Sequence, residues 1–118
     1  VVGAPNILLG GSHSGNLSAL EAIREGAADV LVSDYYPQSL LQAVFRLFQR
    51  EGIPAWEAVR YVTLAPAGAV GLADRFGSIA EGKQGDLLIV RSENGCPALK
   101  KVFVAGACIL DCHYRKAD

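Results

Sequence analysis

Asp29-Val30-Leu31-Val32-Ser33 is a continuous apolar run closed at each end by a polar residue. A strand with water on one face alternates polar and apolar side chains. One without alternation suits burial on both faces, as in a parallel sheet covered by helices. The run therefore predicts an α/β arrangement, and the neighbouring segments agree. Val1 to Leu9 is apolar but interrupted by Gly3, Pro5 and Asn6, which predicts a short strand ending near Ala4 and then a loop. Ser18-Ala19-Leu20-Glu21 has the spacing of a capping box, and Gly26 sits where a C′ glycine would end the helix it opens.

After the run, Asp34-Tyr35-Tyr36-Pro37 breaks the strand, and Pro37 suits the first turn of a helix. Leu40, Leu41, Val44, Leu47 and Phe48 then form one wide apolar stripe at helical spacing. Gly52 ends that helix. Pro54 opens the next, with Trp56 as a core residue and Trp56, Val59 and Val62 as its inner face. Thr63 to Leu72 reads as a short Ala-rich helix with Pro66 near its start.

Beyond Leu72 the pattern changes. Asp74–Gly77 and Glu81–Gly85 read as turns, Asp86–Val90 as a strand, Glu93-Asn94-Gly95 as a turn and Lys101–Val104 as a second strand. Ala105-Gly106 turns the chain into Ala107–Leu110. The expectation is a small antiparallel β unit joined to the α/β part between Leu72 and Ser78, giving units 1–74 and 75–118.

Composition limits the function classes. The chain has 118 residues, is 51% apolar and carries a formal charge of −1. That is globular rather than disordered. It lacks the basic excess that a nucleic-acid or anionic-membrane surface needs. No apolar run nears the roughly 20 residues of a membrane span. The expectations are no nucleic acid, no membrane and a cytoplasmic protein. Val1-Val2-Gly3 reads as the inside of a strand, and the sequence contains no Met. An excerpt of a longer protein is the expectation; a processed N-terminus or a tag-cleaved intact domain is the other reading.

Two places could carry chemistry. Asp34 follows the buried strand directly, at the C-terminal edge where α/β sheets assemble their sites. Its carboxylate could bind a metal, act as general base, or simply cap the next helix. The second place is Gly10-Gly11-Ser12-His13-Ser14-Gly15-Asn16. Its glycines let backbone N–H groups approach an anion, Ser12 and Ser14 add hydroxyls, and His13 adds an imidazole. A helix start just downstream would add a partial positive charge. The segment reads either as a phosphate cradle or as a flexible connector.

The three cysteines read as reduced and structural. Cys108 and Cys112 on an extended strand would lie about 13 Å apart, and a disulfide needs less than about 7 Å. Cys108, Cys112 and His113 make a weak zinc signal. Lys100, Lys101, Arg115 and Lys116 read as a solvated face.

The tail then becomes specific. Gly77-Ser78-Ile79-Ala80-Glu81-Gly82-Lys83-Gln84-Gly85-Asp86-Leu87 resembles the C-terminal signature of the amidohydrolase superfamily, G-x-I-x-x-G-x-x-A-D-L. Lys101-Val102-Phe103-Val104-Ala105-Gly106 resembles the strand that follows it. Thr63-Leu64-Ala65-Pro66-Ala67 with Gly71-Leu72 resembles the T-x-N-P-A…G-L helix before it. Ala65 stands for the usual Asn and Gly85 for the usual Ala. Gly3-Ala4-Pro5-Asn6, the Gly10–Asn16 loop, and Ser33-Asp34-Tyr35 with Pro37 resemble the phosphonate-metabolism branch, the alpha-D-ribose 1-methylphosphonate 5-triphosphate diphosphatases of the carbon–phosphorus lyase pathway.

The resemblance implies a fold and a site. The fold is the C-terminal part of a TIM-like (β/α)8 metal-dependent hydrolase barrel, plus part of a small antiparallel β domain built from both chain ends. Val1–Ala4 would belong to barrel strand seven and Asp29–Ser33 to strand eight. Asp34 would bind metal and help activate the attacking water. Gly10, Gly11, Ser12, His13, Ser14 and Asn16 would bind a phosphorylated ribose phosphonate. A divalent metal, zinc first, serves the complete enzyme. A barrel takes about 250 residues and a catalytic metal three or more protein ligands. The chain alone is therefore expected to bind no metal and to be inactive. Two alternatives stand beside this reading. One is a self-associating module, a homo-oligomer joined through an unpaired barrel edge. The other is a dihydroorotase-like or deaminase-like relative.

Overall fold

A computed structural model of the protein describes residues 1–9, 18–33 and 35–113. The described elements run β1 (Val2–Gly3), α1 (Ala4–Leu9), α2 (Ala19–Arg24), β2 (Leu31–Val32), α3 (Ser39–Gln49), α4 (Ala55–Arg60), α5 (Leu64–Ala69), β3 (Leu87–Glu93), β4 (Cys96–Val104) and β5 (Ala107–Asp111). β1 and β2 form a parallel pair; β3, β4 and β5 form an antiparallel meander. The protein is thus α/β with a separate small antiparallel sheet.

The parallel pair is short. Val2 faces Leu31 and Gly3 faces Val32, and the Val2 amide donates to the Val30 carbonyl at 2.9 Å. Val30 and Leu31 are buried as the apolar run predicts, but Val32 is 41% exposed. Burial on both faces therefore stops at Leu31. The outer edge of β2 is also partly closed, because the Leu31 amide donates to the Tyr61 carbonyl at 2.9 Å. One of the ladder positions that invites a further strand is occupied.

The segment expected to leave β1 as a loop is helical instead. Pro5 is the second residue of α1, a first-turn position where its missing N–H breaks no helix bond. Ala4 and Ile7, one turn apart, are both buried in the core. Their burial outweighs the turn-like local sequence.

α2 carries both predicted ends. The Ser18 side chain accepts from the Glu21 amide, and the Glu21 carboxylate accepts from the Ser18 amide. At the other end Gly26 has φ +72°. The Ala27 amide reaches the Ala22 carbonyl at 2.8 Å and the Gly26 amide the Ile23 carbonyl at 3.1 Å. That pair of bonds is a Schellman motif.

α3 is the centre of the core. Ser39, Ala43, Val44 and Leu47 are buried along one face, and Leu40, Phe45 and Phe48 pack half-buried beside them. The face meets α1 and α4. Phe45 and Phe48 hold their rings 4.8 Å apart and tilted, a favourable aromatic geometry.

The inner face of α4 differs from the expected one. Trp56 is 70% exposed, whereas Ala58 and Tyr61 are buried. Val62 packs half-buried against the core. Residues 58, 61 and 62 share one side of a helical path, and Trp56 lies about 200° round from Ala58 at about 100° per residue. Val59 points away as well and is 43% exposed. Ala58 is fully buried in the core where α4 meets α3.

In the antiparallel sheet both hairpins have two-residue turns. Asn94 and Gly95 have φ of 52° and 80°, and Ala105 and Gly106 have φ of 51° and 81°. Positive φ at both central residues is the type I′ turn that matches strand twist. The first turn pairs Glu93 with Cys96, so β4 starts at Cys96 rather than at Lys101 as the sequence suggested. The register shifts between Ile89 and Val90, and again between Val102 and Phe103.

The residues of the tail signature turn out to fasten this sheet to α5. Gly77 has φ +95°, and a Cβ there would lie 2.9 Å from the Ala67 Cβ and 3.0 Å from the Leu64 Cα. Only glycine fits that approach. Lys83 Nζ donates to the Ala73 carbonyl and, at 2.7 Å, to Ser78 Oγ. The Gln84 amide donates to the Arg75 carbonyl at 2.9 Å. Next, the Gly106 amide donates to the Gly85 carbonyl at 2.9 Å, and Asp86 Oδ1 accepts from the Ala105 amide at 2.9 Å. Gln84 Nε2 donates to both Asp86 oxygens, at 2.9 and 3.0 Å. Asp86 thus holds the left-handed Ala105 in place. A second tie joins the two parts, from Gln49 Nε2 on α3 to Ser92 Oγ on β3 at 3.2 Å.

Two outcomes follow. Leu47→Ala removes a fully buried side chain from the centre of the core. It is expected to cost about 2–5 kcal/mol, read as a lower urea midpoint with unchanged slope. The Ala105 amide, and after it Gln84, hold the Asp86 carboxyl below its ordinary value of 3.8. Its contribution is therefore complete above pH 3.8 and lost as pH falls below that through the folded value. Asp86→Asn should lower stability at neutral pH, and its deficit against the parent should shrink on acidification in parallel denaturation curves.

Candidate functional site

Because β1 and β2 are parallel, their C-terminal ends lie at one edge, the edge where α/β proteins place their sites. Asp34 follows that edge in sequence. Asp34, Gly10, Gly11, Ser12, His13, Ser14 and Asn16 lie outside the described residues. What the structure describes is the framework on either side of them.

The described residues between β2 and α3 are joined by short-range bonds. The Tyr36 amide donates to the Ser33 carbonyl at 3.1 Å, and the Ser39 amide to the Tyr36 carbonyl at 3.0 Å. Ser39, fully buried at the start of α3, also donates its hydroxyl to the Tyr36 carbonyl at 2.5 Å and lies 3.5 Å from the Ser33 carbonyl. One buried hydroxyl therefore ties the strand end to the first turn of the next helix. Tyr35 is 75% exposed beside it. Ser39 was missed as a site-framing residue. Its signal was present in the helical phase, since positions 39, 43 and 47 fall on the buried face of α3.

The framework of the Gly10–Asn16 segment differs from the expectation. It does not leave β1 directly, because α1 intervenes. On its far side α2 has six residues, and Glu21 occupies its first turn. The capping box satisfies the Ser18 and Glu21 amides, and the Glu21 carboxylate is itself negative.

An open cleft lies elsewhere. It has a volume of about 880 Å³ and is lined in part by Val1, Asp29, Trp56, Glu57, Arg60 and Tyr61. Val1 and Asp29 precede the two strands, so this cleft is at their N-terminal ends. Burial, then a hydrogen bond with Glu57, raises the Tyr61 phenol above its ordinary value of 10.0. In α/β sheets that end serves stability rather than chemistry. Another cleft, of about 270 Å³, lies between α3 and the tip of the β3–β4 hairpin and is lined by Arg46, Arg50 and Pro97 among others.

Among the described residues no group of three His, Cys, Asp or Glu side chains could hold a metal ion. Cys96, Cys108 and Cys112 are free thiols. His113 Nε2 lies 3.6 Å from Asp111 Oδ1 at an exposed position, and Lys101 Nζ is 3.8 Å from Asp111 Oδ2. These are solvent-screened pairs. No described helix is long and apolar enough to cross a membrane.

Comparison with known proteins gives the family. The amidohydrolase family model matches residues 11–109. The chain belongs to the amidohydrolase family. It is 48% identical over 96 residues to the alpha-D-ribose 1-methylphosphonate 5-triphosphate diphosphatase of Escherichia coli K12, covering 80% of this chain and 25% of that protein. It is 33% identical over 100 residues to the dihydroorotase of Methanopyrus kandleri, covering 70% of this chain and 23% of that one. The chain therefore spans about a quarter of the length of these relatives. In structure it is similar to an amidohydrolase from Thermotoga maritima, with a TM-score of 0.63 and 23% identity over 78% of this chain and 25% of that one. The N-acetylglucosamine-6-phosphate deacetylase of Pasteurella multocida gives a TM-score of 0.50 at 29% identity, over 58% of this chain and 17% of that one. The superfamily is of TIM-barrel type, and its members generally depend on a metal.

Ser39→Ala is expected to cost about 1 kcal/mol, the net worth of one hydrogen bond. The Tyr36 carbonyl keeps its bond from the Ser39 amide, so no buried acceptor is orphaned. Thermal unfolding of the variant beside the parent measures the loss.

Proposed function

We propose that this chain is the C-terminal portion of a cytoplasmic hydrolase of phosphonate catabolism, one that releases pyrophosphate from a ribose 1-methylphosphonate 5-triphosphate. The observation that carries the reading is the 48% identity to the diphosphatase, against 33% to the dihydroorotase. In this reading residues 1–74 supply the last βα units of a TIM-like barrel, and 75–118 supply part of a small β domain. Asp34 stands at the mouth, and Gly10, Gly11, Ser12, His13, Ser14 and Asn16 receive the phosphates.

The reaction is hydrolysis of a phosphoanhydride. A water oxygen bonds to a phosphorus of the α–β anhydride as the bridging P–O bond breaks, and pyrophosphate leaves. Asp34 accepts the proton that the water gives up, and the products are the 5-phosphate and pyrophosphate. The family's divalent metal, with zinc the expected ion, takes three or more protein ligands. The described residues do not form such a set. Asp34 would be this chain's contribution to it, and the other ligands would come from earlier parts of a longer protein.

The experiment compares the 118-residue chain with a longer protein that carries it, assaying pyrophosphate release from the triphosphate. The longer protein should turn over and the chain alone should not. Asp34→Asn in the longer protein should lower kcat about 10²- to 10⁴-fold, the usual worth of a general base. Turnover by the chain alone would overturn the division of labour. Ring opening of dihydroorotate with no action on the triphosphate would establish the dihydroorotase-like reading instead.

A further inference from the structure

We draw no further inference here: the strongest candidate, the exposed apolar face that Leu88, Val104 and Leu110 form on the three-stranded sheet, carries nothing because nothing in the structure shows what covers it.

Discussion

The buried face of α3 is the contact on which the α/β part depends. Leu47, Val44 and Ala43 are at most 2% exposed, and the elements packed on them come from both sides in sequence. α1 arrives from the N-terminal side and α4 from the C-terminal side. A two-residue parallel pair cannot hold itself together, so β1 and β2 stay registered because the helices on either side of them share this core. The same helix begins with Ser39, whose hydroxyl fixes the turn after β2. The element that holds the core together thus also anchors the chain between β2 and α3.

The small sheet is organised differently. Its outer strands β3 and β5 are largely exposed and the central β4 is half-buried, so its order comes more from backbone bonds and two tight turns than from full burial. The link to the α/β part is a set of polar ties along the Gly77–Asp86 segment. Gly77 permits close approach to α5, Lys83 and Gln84 bond to the chain between α5 and the signature, and Asp86 clamps the β4–β5 turn. A family signature in this protein is thus an architectural clasp. Its Gly and Asp are explained by backbone geometry and hydrogen bonding, with no ligand required. Gly85 faces Gly106 so closely that a Cβ would sit 3.1 Å from its amide.

Much of this was legible in the residues. The capping box at Ser18, the glycine stop at Gly26, the stripe on α3 and the turns at Asn94-Gly95 and Ala105-Gly106 each rest on interactions among near neighbours. Misreadings arose where distant packing decides. Pro5 and Asn6 look like a loop, yet Ala4 and Ile7 gain enough burial to make the segment helical. Trp56 looks like core, yet the helix turns the smaller Ala58 inward. Beside the proposed site, the sequence located the end of β2 and the break after it, while Asp34 itself lies outside the described residues. The sequence missed Ser39: helical phase with Ala43 and Leu47 marks it for the buried face, but its bond to the Tyr36 carbonyl depends on how the chain enters the helix.

By itself, then, the sequence determined the family, the order of most elements, the helix ends and the hairpin turns, since these follow from local propensity, periodicity and short-range hydrogen bonds. Only the tertiary structure decided which face of α4 is buried, that α1 separates β1 from the glycine-rich segment, that Tyr61 closes part of the β2 edge, and that Lys83 and Asp86 are fasteners. Each of those outcomes depends on groups far apart in the chain meeting in space, and the energy of such a meeting is not written in any single stretch of residues.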